Sequence, residues 1–188
     1  MSQHYLSPLF SPRSVAVIGA SDRPESVGGV IFRNMLEGGY QGRLFAVNPR
    51  HAAIQGQRAY PDIEAIGAPI DLAVVATRAH TVPDIIEACG RHGVKAAVIL
   101  SAGFGEAGAD GRALERQVLD IARRHGIRLV GPNCLGVMRP SIGLDATFSK
   151  GGAKPGKLAL VSQSGALCTA ILDWARPNDV GFSSIVSM

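Results

Sequence analysis

The chain has 188 residues, enough to bury about 70% of its unfolded surface around a single core. At 46% hydrophobic and 18% charged residues it is too apolar for a disordered chain, and it shows neither a collagen repeat nor coiled-coil heptads. The net charge of +4 lies wholly in residues 95–188; with ten aromatic residues and no lysine run it is a weak nucleic-acid footprint, which a small anionic ligand or an ordinary basic surface explains better.

In chain order, short apolar runs alternate with segments of helical period. Ser14 to Gly19, Arg43 to Asn48, Asp71 to Thr77, Lys95 to Ser101 and Ile127 to Gly131 predict strands, nearly continuous in apolar residues as strands covered on both faces are. Val27, Ile31 and Met35 recur at four-residue spacing, and Gly38 with Gly39 can close that helix in a left-handed conformation. Thr81 with Asp84 resembles a capping box before Ile85 and Ile86, and Leu114, Val118 and Ile121 mark a further apolar stripe. The repeated βαβ pattern, with right-handed crossovers, predicts an α/β fold built on a doubly wound parallel sheet.

Residues 132–156 carry Gly, Pro and Ser throughout and read as loop and linker. Lys157 to Gln163, Ala166 to Ala175 and Gly181 to Ser187 then predict strand, helix and strand. One such unit cannot bury both its faces, so it packs on the first domain or a partner, or it opens a second domain of a longer chain; the last reading fits best. The longest apolar runs, such as Ala96 to Leu100, fall far short of the roughly 18 residues of a membrane span, and the start of the chain lacks the order of a secretion signal. Cys89, Cys134 and Cys168 are odd in number and form no CxxC pair, which argues against a disulfide framework and a zinc site. A cytoplasmic protein without a membrane partner is expected.

In an open parallel sheet the ligand lies beyond the carboxyl ends of the strands. After the first strand Gly19 allows a tight turn into Ser21, Asp22 and Arg23, and Gly28 and Gly29 let backbone amides approach an anion. The spacing is not GxGxxG, and a plain strand-to-helix turn fits this loop equally well. The second strand runs into Asn48, Pro49 and Arg50, where a classical NAD site has Asp or Glu. An arginine there suits an additional ribose phosphate, as in coenzyme A or NADP, although a solvated arginine in a turn leaves the same trace.

Thr77 follows the third strand and Ser101, Ala102 and Gly103 the fourth, leaving room for an extended ligand. After the fifth come Asn133, a positioning hydrogen bonder, and Cys134, which as a nucleophile would need a nearby base and a lowered pKa. Ser162, Ser164 and Gly165 precede the last helix, where hydroxyls and amides suit a phosphate, but position 162 breaks the GxSxG pattern of a serine hydrolase. The histidines show no metal spacing, and His92 and His125 precede glycines at helix ends, where a cation favours the dipole.

Taken together, SPRSVAVIGASDRPESVGG, FAVNPR, AYPDI, DLAVVAT, KAAVILSAGFGE, RLVGPNCLGV, GLDATF, KLALVSQSGALCTAILDWA and GFSSIVSM resemble, in order over residues 7–188, the N-terminal coenzyme A binding region of ADP-forming acyl-CoA synthetases, relatives of the succinyl-CoA synthetase alpha subunit. The resemblance implies a Rossmann-like CoA-binding domain over residues 1–145, a linker over 146–156 and the opening of a flavodoxin-like second domain over 157–188. It implies CoA contacts at Ser21, Asp22 and Arg23, at Arg50 where the family often has lysine, and at Ser101, Ala102 and Gly103, with Asn133 and Cys134 near the thiol end.

In that family CoA attacks an acyl phosphate, and a histidine of the second domain passes the phosphoryl group to ADP in an ATP-grasp domain. Histidine and ATP-grasp module would both follow Met188, so this chain is expected to hold CoA or acyl-CoA without completing the reaction and to associate into an oligomer. The same region is similar to that of protein lysine acetyltransferases, in which a synthetase-like sensor is fused to a GNAT acetyltransferase domain. A third reading, an NADP-dependent oxidoreductase, rests on fold analogy and Arg50.

Overall fold

The computed structural model describes residues 4–188. After a one-turn helix α1 (Ser7–Phe10), the apolar runs form β1 (Ser14–Ile18), β2 (Arg43–Val47), β5 (Leu72–Val75), β6 (Ala96–Ile99) and β7 (Arg128–Val130), all parallel. The first sheet has the order β3-β4-β2-β1-β5-β6-β7, in which β3 (Ala53–Ile54) and β4 (Gln57–Tyr60) are a short hairpin added beside β2. Helices α2 (Val27–Glu37), α3 (Val82–Arg91) and α4 (Ala109–His125) cover its faces. Successive residues point to opposite faces of a strand. Val15, Val17, Leu72, Val74 and Val98 accordingly pack with Ile31, Phe32 and Met35 of α2, while Ala16, Ile18, Ala73, Val75 and Ile99 pack with Ile86 of α3 and Val118 and Ile121 of α4.

Two local expectations meet different chemistry. Gly39 does adopt a left-handed conformation after α2, at φ +65°. Thr81, however, builds no capping box: its hydroxyl donates to the Arg78 carbonyl and lies 2.9 Å from Thr77 Oγ1, inside a preceding 3-10 turn. His125 is the last residue of α4 and His92 the C-cap residue of α3, as read from the sequence, but their rings bond neighbours rather than their own helices: His125 Nε2 lies 2.9 Å from Glu87 Oε1 on α3, and the ring of His92 bonds the Ala68 carbonyl.

The stretch 132–156 is not simply loop and linker. It contains β8 (Gly136–Arg139) and β9 (Leu144–Thr147), an antiparallel hairpin closed by a 3-10 turn with Gly143 at φ +68°. β8 pairs antiparallel with β11 (Phe182–Ser187), which pairs parallel with β10 (Pro155–Ser162), giving a second sheet of order β10-β11-β8-β9. The expected division at residue 145 therefore falls inside a strand. Val137, Ala146 and Val186 face the core shared with α2, and Met138, Phe182 and Ile185 face α5 (Gly165–Ala175) through Cys168 and Leu172. None of the described helices is long and apolar enough to cross a membrane.

Candidate functional site

The parallel register puts the strand ends at one edge: Ile18 is level with Val47 and Val75, Val75 with Ile99, and Val98 with Val130. The segments after these strands consequently lie side by side: 19–23, 48–50, 76–78, 100–103 and 131–134. The fold thus brings Gly19, Ser21, Asp22, Arg23, Asn48, Pro49, Arg50, Thr77, Ser101, Ala102, Gly103, Asn133 and Cys134 to the same crevice side of the sheet. Asp22, Arg23, Pro49, Arg50, Ala102 and Asn133 are exposed there.

The first loop is held by its neighbours rather than by a glycine fingerprint. Gly19 sits at φ +94°, and a Cβ on it would lie 2.6 Å from the Ala76 carbonyl oxygen. A Cβ on Gly28 would lie 1.9 Å from the Gly19 carbonyl oxygen, and one on Gly29 2.3 Å from that of Arg23, so both glycines serve close packing of helix against loop. The Gly29 amide is taken by Ser26 Oγ, the N-cap of α2. Asn48 Nδ2 donates to the Ala20 carbonyl at 2.8 Å and its Oδ1 accepts from the Arg50 amide, which ties the second strand end to the first loop.

Two carboxylates close to the crevice are spent on loop amides. Asp22 Oδ1 accepts from the Gln55 amide at 2.6 Å, and Glu106 Oε1 accepts from the Gly103 amide. The Gly103 amide holds the Glu106 carboxyl below its ordinary value. Gln55 escaped the sequence reading altogether; its side-chain amide also donates to the Ser21 and Gly29 carbonyls. The only available signal was Gln55-Gly56 between two short apolar stretches.

Two buried side-chain hydroxyls among the described residues lack a hydrogen-bond partner, Ser149 after β9 and Ser101 at the fourth strand end. Ser101 is 8% exposed and its Oγ has no hydrogen-bond partner, a state that costs free energy unless a ligand supplies one. Beside it Gly103 takes φ +106°, and the Asn133 amide donates to the Ser101 carbonyl. Cys134 turns inward: it is 5% exposed, its Sγ donates to the Ile99 carbonyl, and burial pushes its thiol up to about 12, the opposite of an activated nucleophile.

Ser162, Ser164 and Gly165 sit at the start of α5. Ser164 Oγ caps the Leu167 amide, and Ser162 Oγ accepts from the Ser164 amide. Leu135, next in the chain to Cys134, neighbours this turn: a Cβ on Gly165 would lie 3.4 Å from its Cβ, and its amide donates to Ser187 Oγ. Among the described residues no group of three or more His, Cys, Asp or Glu is placed to hold a metal ion.

A parallel sheet whose strand-following segments share one carboxyl edge is a Rossmann-like fold; at that edge, among the described residues, Arg50 after β2 enters no ion pair and Ser101 Oγ after β6 has no hydrogen-bond partner. The pattern of the CoA binding domain family matches residues 13–140, and the chain belongs to that family, so its ligand is coenzyme A. The succinyl-CoA ligase like flavodoxin domain matches residues 155–188. The ADP-forming acetate-CoA ligase I of Archaeoglobus fulgidus is 45% identical over 96% of this chain and 26% of its own length. The alpha subunit of the ADP-forming acetate-CoA ligase I of Pyrococcus furiosus is 42% identical over 97% of this chain and 40% of its own.

Among solved structures, the acetyl-coenzyme A synthetase 1 of Ca. Korarchaeum cryptofilum, in complex with phosphate and ADP, superposes with a TM-score of 0.92 at 36% identity, over 97% of this chain and 39% of that one. The Pyrococcus horikoshii protein PH0766 gives 0.93 at 40% identity, over 97% and 41%. The chain thus spans between about a quarter and two fifths of the length of these two acetate-CoA ligase relatives. Neither the acetyltransferase nor the oxidoreductase reading draws support from these likenesses.

Proposed function

We propose that the chain is the CoA-binding module of an ADP-forming acyl-CoA synthetase, which joins an acid, CoA and ATP to give acyl-CoA, ADP and phosphate. The observation that carries this reading is that Arg50 after β2 and Ser101 and Gly103 after β6 stand along the same carboxyl edge of the parallel sheet, with Ser101 Oγ unpartnered. Arg50 would hold the ribose phosphate, Ser21 and Arg23 the diphosphate side, and Ser101 with Gly103 the pantetheine arm. Asn133, and the backbone rather than the buried thiol of Cys134, would border the thiol end. CoA supplies the nucleophilic thiol; this chain's part is to bind and orient it, and the serines at α5 suit a phosphate beside it.

In this scheme the first, parallel sheet carries the ligand and residues 157–188 open the second unit, with the β8–β9 hairpin lending two strands to the second sheet. An ATP-grasp module would come from further domains or subunits. The exposed Leu158, Val161, Leu167 and Trp174 support such association. Three buried free thiols agree with work in the reducing cytoplasm.

Calorimetric titration of the chain with CoA, dephospho-CoA, NADP and NAD at one ionic strength tests the reading. CoA should bind in preference to both dinucleotides; preference for NADP, or no binding of CoA, would defeat it. Arg50→Ala should weaken CoA by about tenfold to a hundredfold, the loss of one charged hydrogen bond, while dephospho-CoA changes little. Equal weakening of both ligands would remove Arg50 from the ribose phosphate.

A further inference from the structure

Gln55 occupies a position that turn chemistry alone does not explain. It and Gly56 form the two-residue link between β3 and β4, at φ +48° and +76°, and a link with positive φ at both residues favours Asn-Gly or Asp-Gly. Asparagine tolerates the left-handed region far better than glutamine does. What glutamine adds is reach: Nε2 donates to the Ser21 carbonyl at 3.1 Å and to the Gly29 carbonyl at 2.8 Å, spanning the loop from its start to the first turn of α2. The backbone amide of the same residue binds Asp22 Oδ1, so three donors from one residue fix the loop on both sides of Arg23.

We infer that Gln55 is a positioning residue, which holds the Ser21–Arg23 loop in the conformation that receives the diphosphate part of CoA. The inference rests on the CoA-binding reading above. A left-handed non-glycine residue persists where its surroundings over-determine it, and here the surroundings are the loop next to the candidate ligand rather than the hairpin itself. By meeting Asp22 with a donor, Gln55 also keeps that carboxylate turned to the hairpin, away from the phosphates the loop would receive.

Gln55→Asn separates the two roles. It retains the backbone amide and is the better turn residue, but its side chain is one methylene too short for both carbonyls. The melting temperature should therefore stay within about 2 °C of the parent or rise, while the Kd for CoA rises about tenfold, the equivalent of two ordinary hydrogen bonds. Dephospho-CoA should weaken by the same factor, because the diphosphate is common to both ligands, in contrast to the selective effect of Arg50→Ala.

Gln55→Glu, with the same reach but no side-chain donor in its ionised form, should weaken both ligands at least as much. Unchanged CoA affinity in both variants would overturn the inference and leave the CoA reading intact. Loss of affinity with a fall in melting temperature of more than about 3 °C in Gln55→Asn would overturn it too, making Gln55 a residue of the fold. Failure of the unaltered chain to bind CoA would remove its basis, a result distinct from either.

Discussion

Gly28→Ala should lower the melting temperature by about 6 to 12 °C and raise the Kd for CoA more than tenfold at temperatures where the variant is still folded. Helix propensity argues the other way, since alanine is favoured over glycine by about 1 kcal/mol inside a helix. The clash decides the sign. A Cβ at this position would lie 1.9 Å from the Gly19 carbonyl oxygen and 2.7 Å from its carbon, and a backbone group, unlike a side chain, has no rotamer through which to withdraw. Relief requires α2 to move off the sheet, although Ile31, Phe32 and Met35 fill its core face, or the β1 turn to shift.

Either movement costs about 3 kcal/mol or more, and for a chain of this size each kcal/mol is worth roughly 2 to 4 °C. The Gly19 turn is also the start of the ligand crevice, so the part of the damage that falls on the loop appears in CoA affinity. Gly39→Asn is the matched control: that glycine has φ +65° with nothing within 4 Å of a built Cβ, so stability and binding should both hold. A Gly28→Ala variant that melts and binds like the parent would show that the close approach of helix and loop is not what shapes the crevice.

The parts of this architecture that could be read in advance are those whose signal is local and continuous. The five parallel strands were legible because burial on both faces forces runs such as Ala73-Val74-Val75 and Ala96-Ala97-Val98-Ile99, and their order then fixed which loops share an edge. Arg50 was legible for the same reason, as the residue after a recognisable strand. The hairpins β3–β4 and β8–β9 were not, because strands of two to four residues offer too few alternations to stand out among turn residues.

Gln55 was invisible because its partners lie 26 to 34 residues away in the chain and only the folded hairpin brings them together. Thr81 failed in the opposite sense: the local pattern of a capping box was present, but the preceding 3-10 turn offered its hydroxyl a nearer acceptor. Cys134 stands at the right edge, yet its side chain is drawn inward by packing among Val98, Leu100, Val130 and Val137 and by the Ile99 carbonyl, partners that lie apart in the sequence.

Asp145 reads in sequence as a polar residue of a loop and is in fact buried in β9, which carries the second of the large effects. It is 7% exposed; its Oδ1 accepts from the Thr147 amide at 3.2 Å and from Thr147 Oγ1 at 2.7 Å, and it enters no ion pair among the described residues. Burial pushes its carboxyl up from 3.8 to about 6, with the two Thr147 hydrogen bonds restraining the rise. Because the folded value lies above the unfolded one, the folded state binds the proton more tightly. The contribution to stability is fully present below about pH 4 and is lost as the pH rises to and through 6.

A shift of this size corresponds to about 3 kcal/mol, an upper figure for a carboxyl that can relax toward solvent. Asp145→Asn keeps a carbonyl oxygen to accept from Thr147 and removes the titration. The informative quantity is the difference in unfolding free energy between variant and parent, measured by urea denaturation from pH 4 to 8, because every other titrating group, Glu87, Glu106 and Asp179 included, contributes equally to both and cancels. That difference should move in favour of asparagine by about 2 to 3 kcal/mol between pH 4 and 7, whatever its offset at pH 4, and stay level above pH 7. Parallel curves across the whole range would mean that Asp145 ionises in the folded protein as readily as in the unfolded one, and that the β8–β9 hairpin admits water where the structure shows it closed.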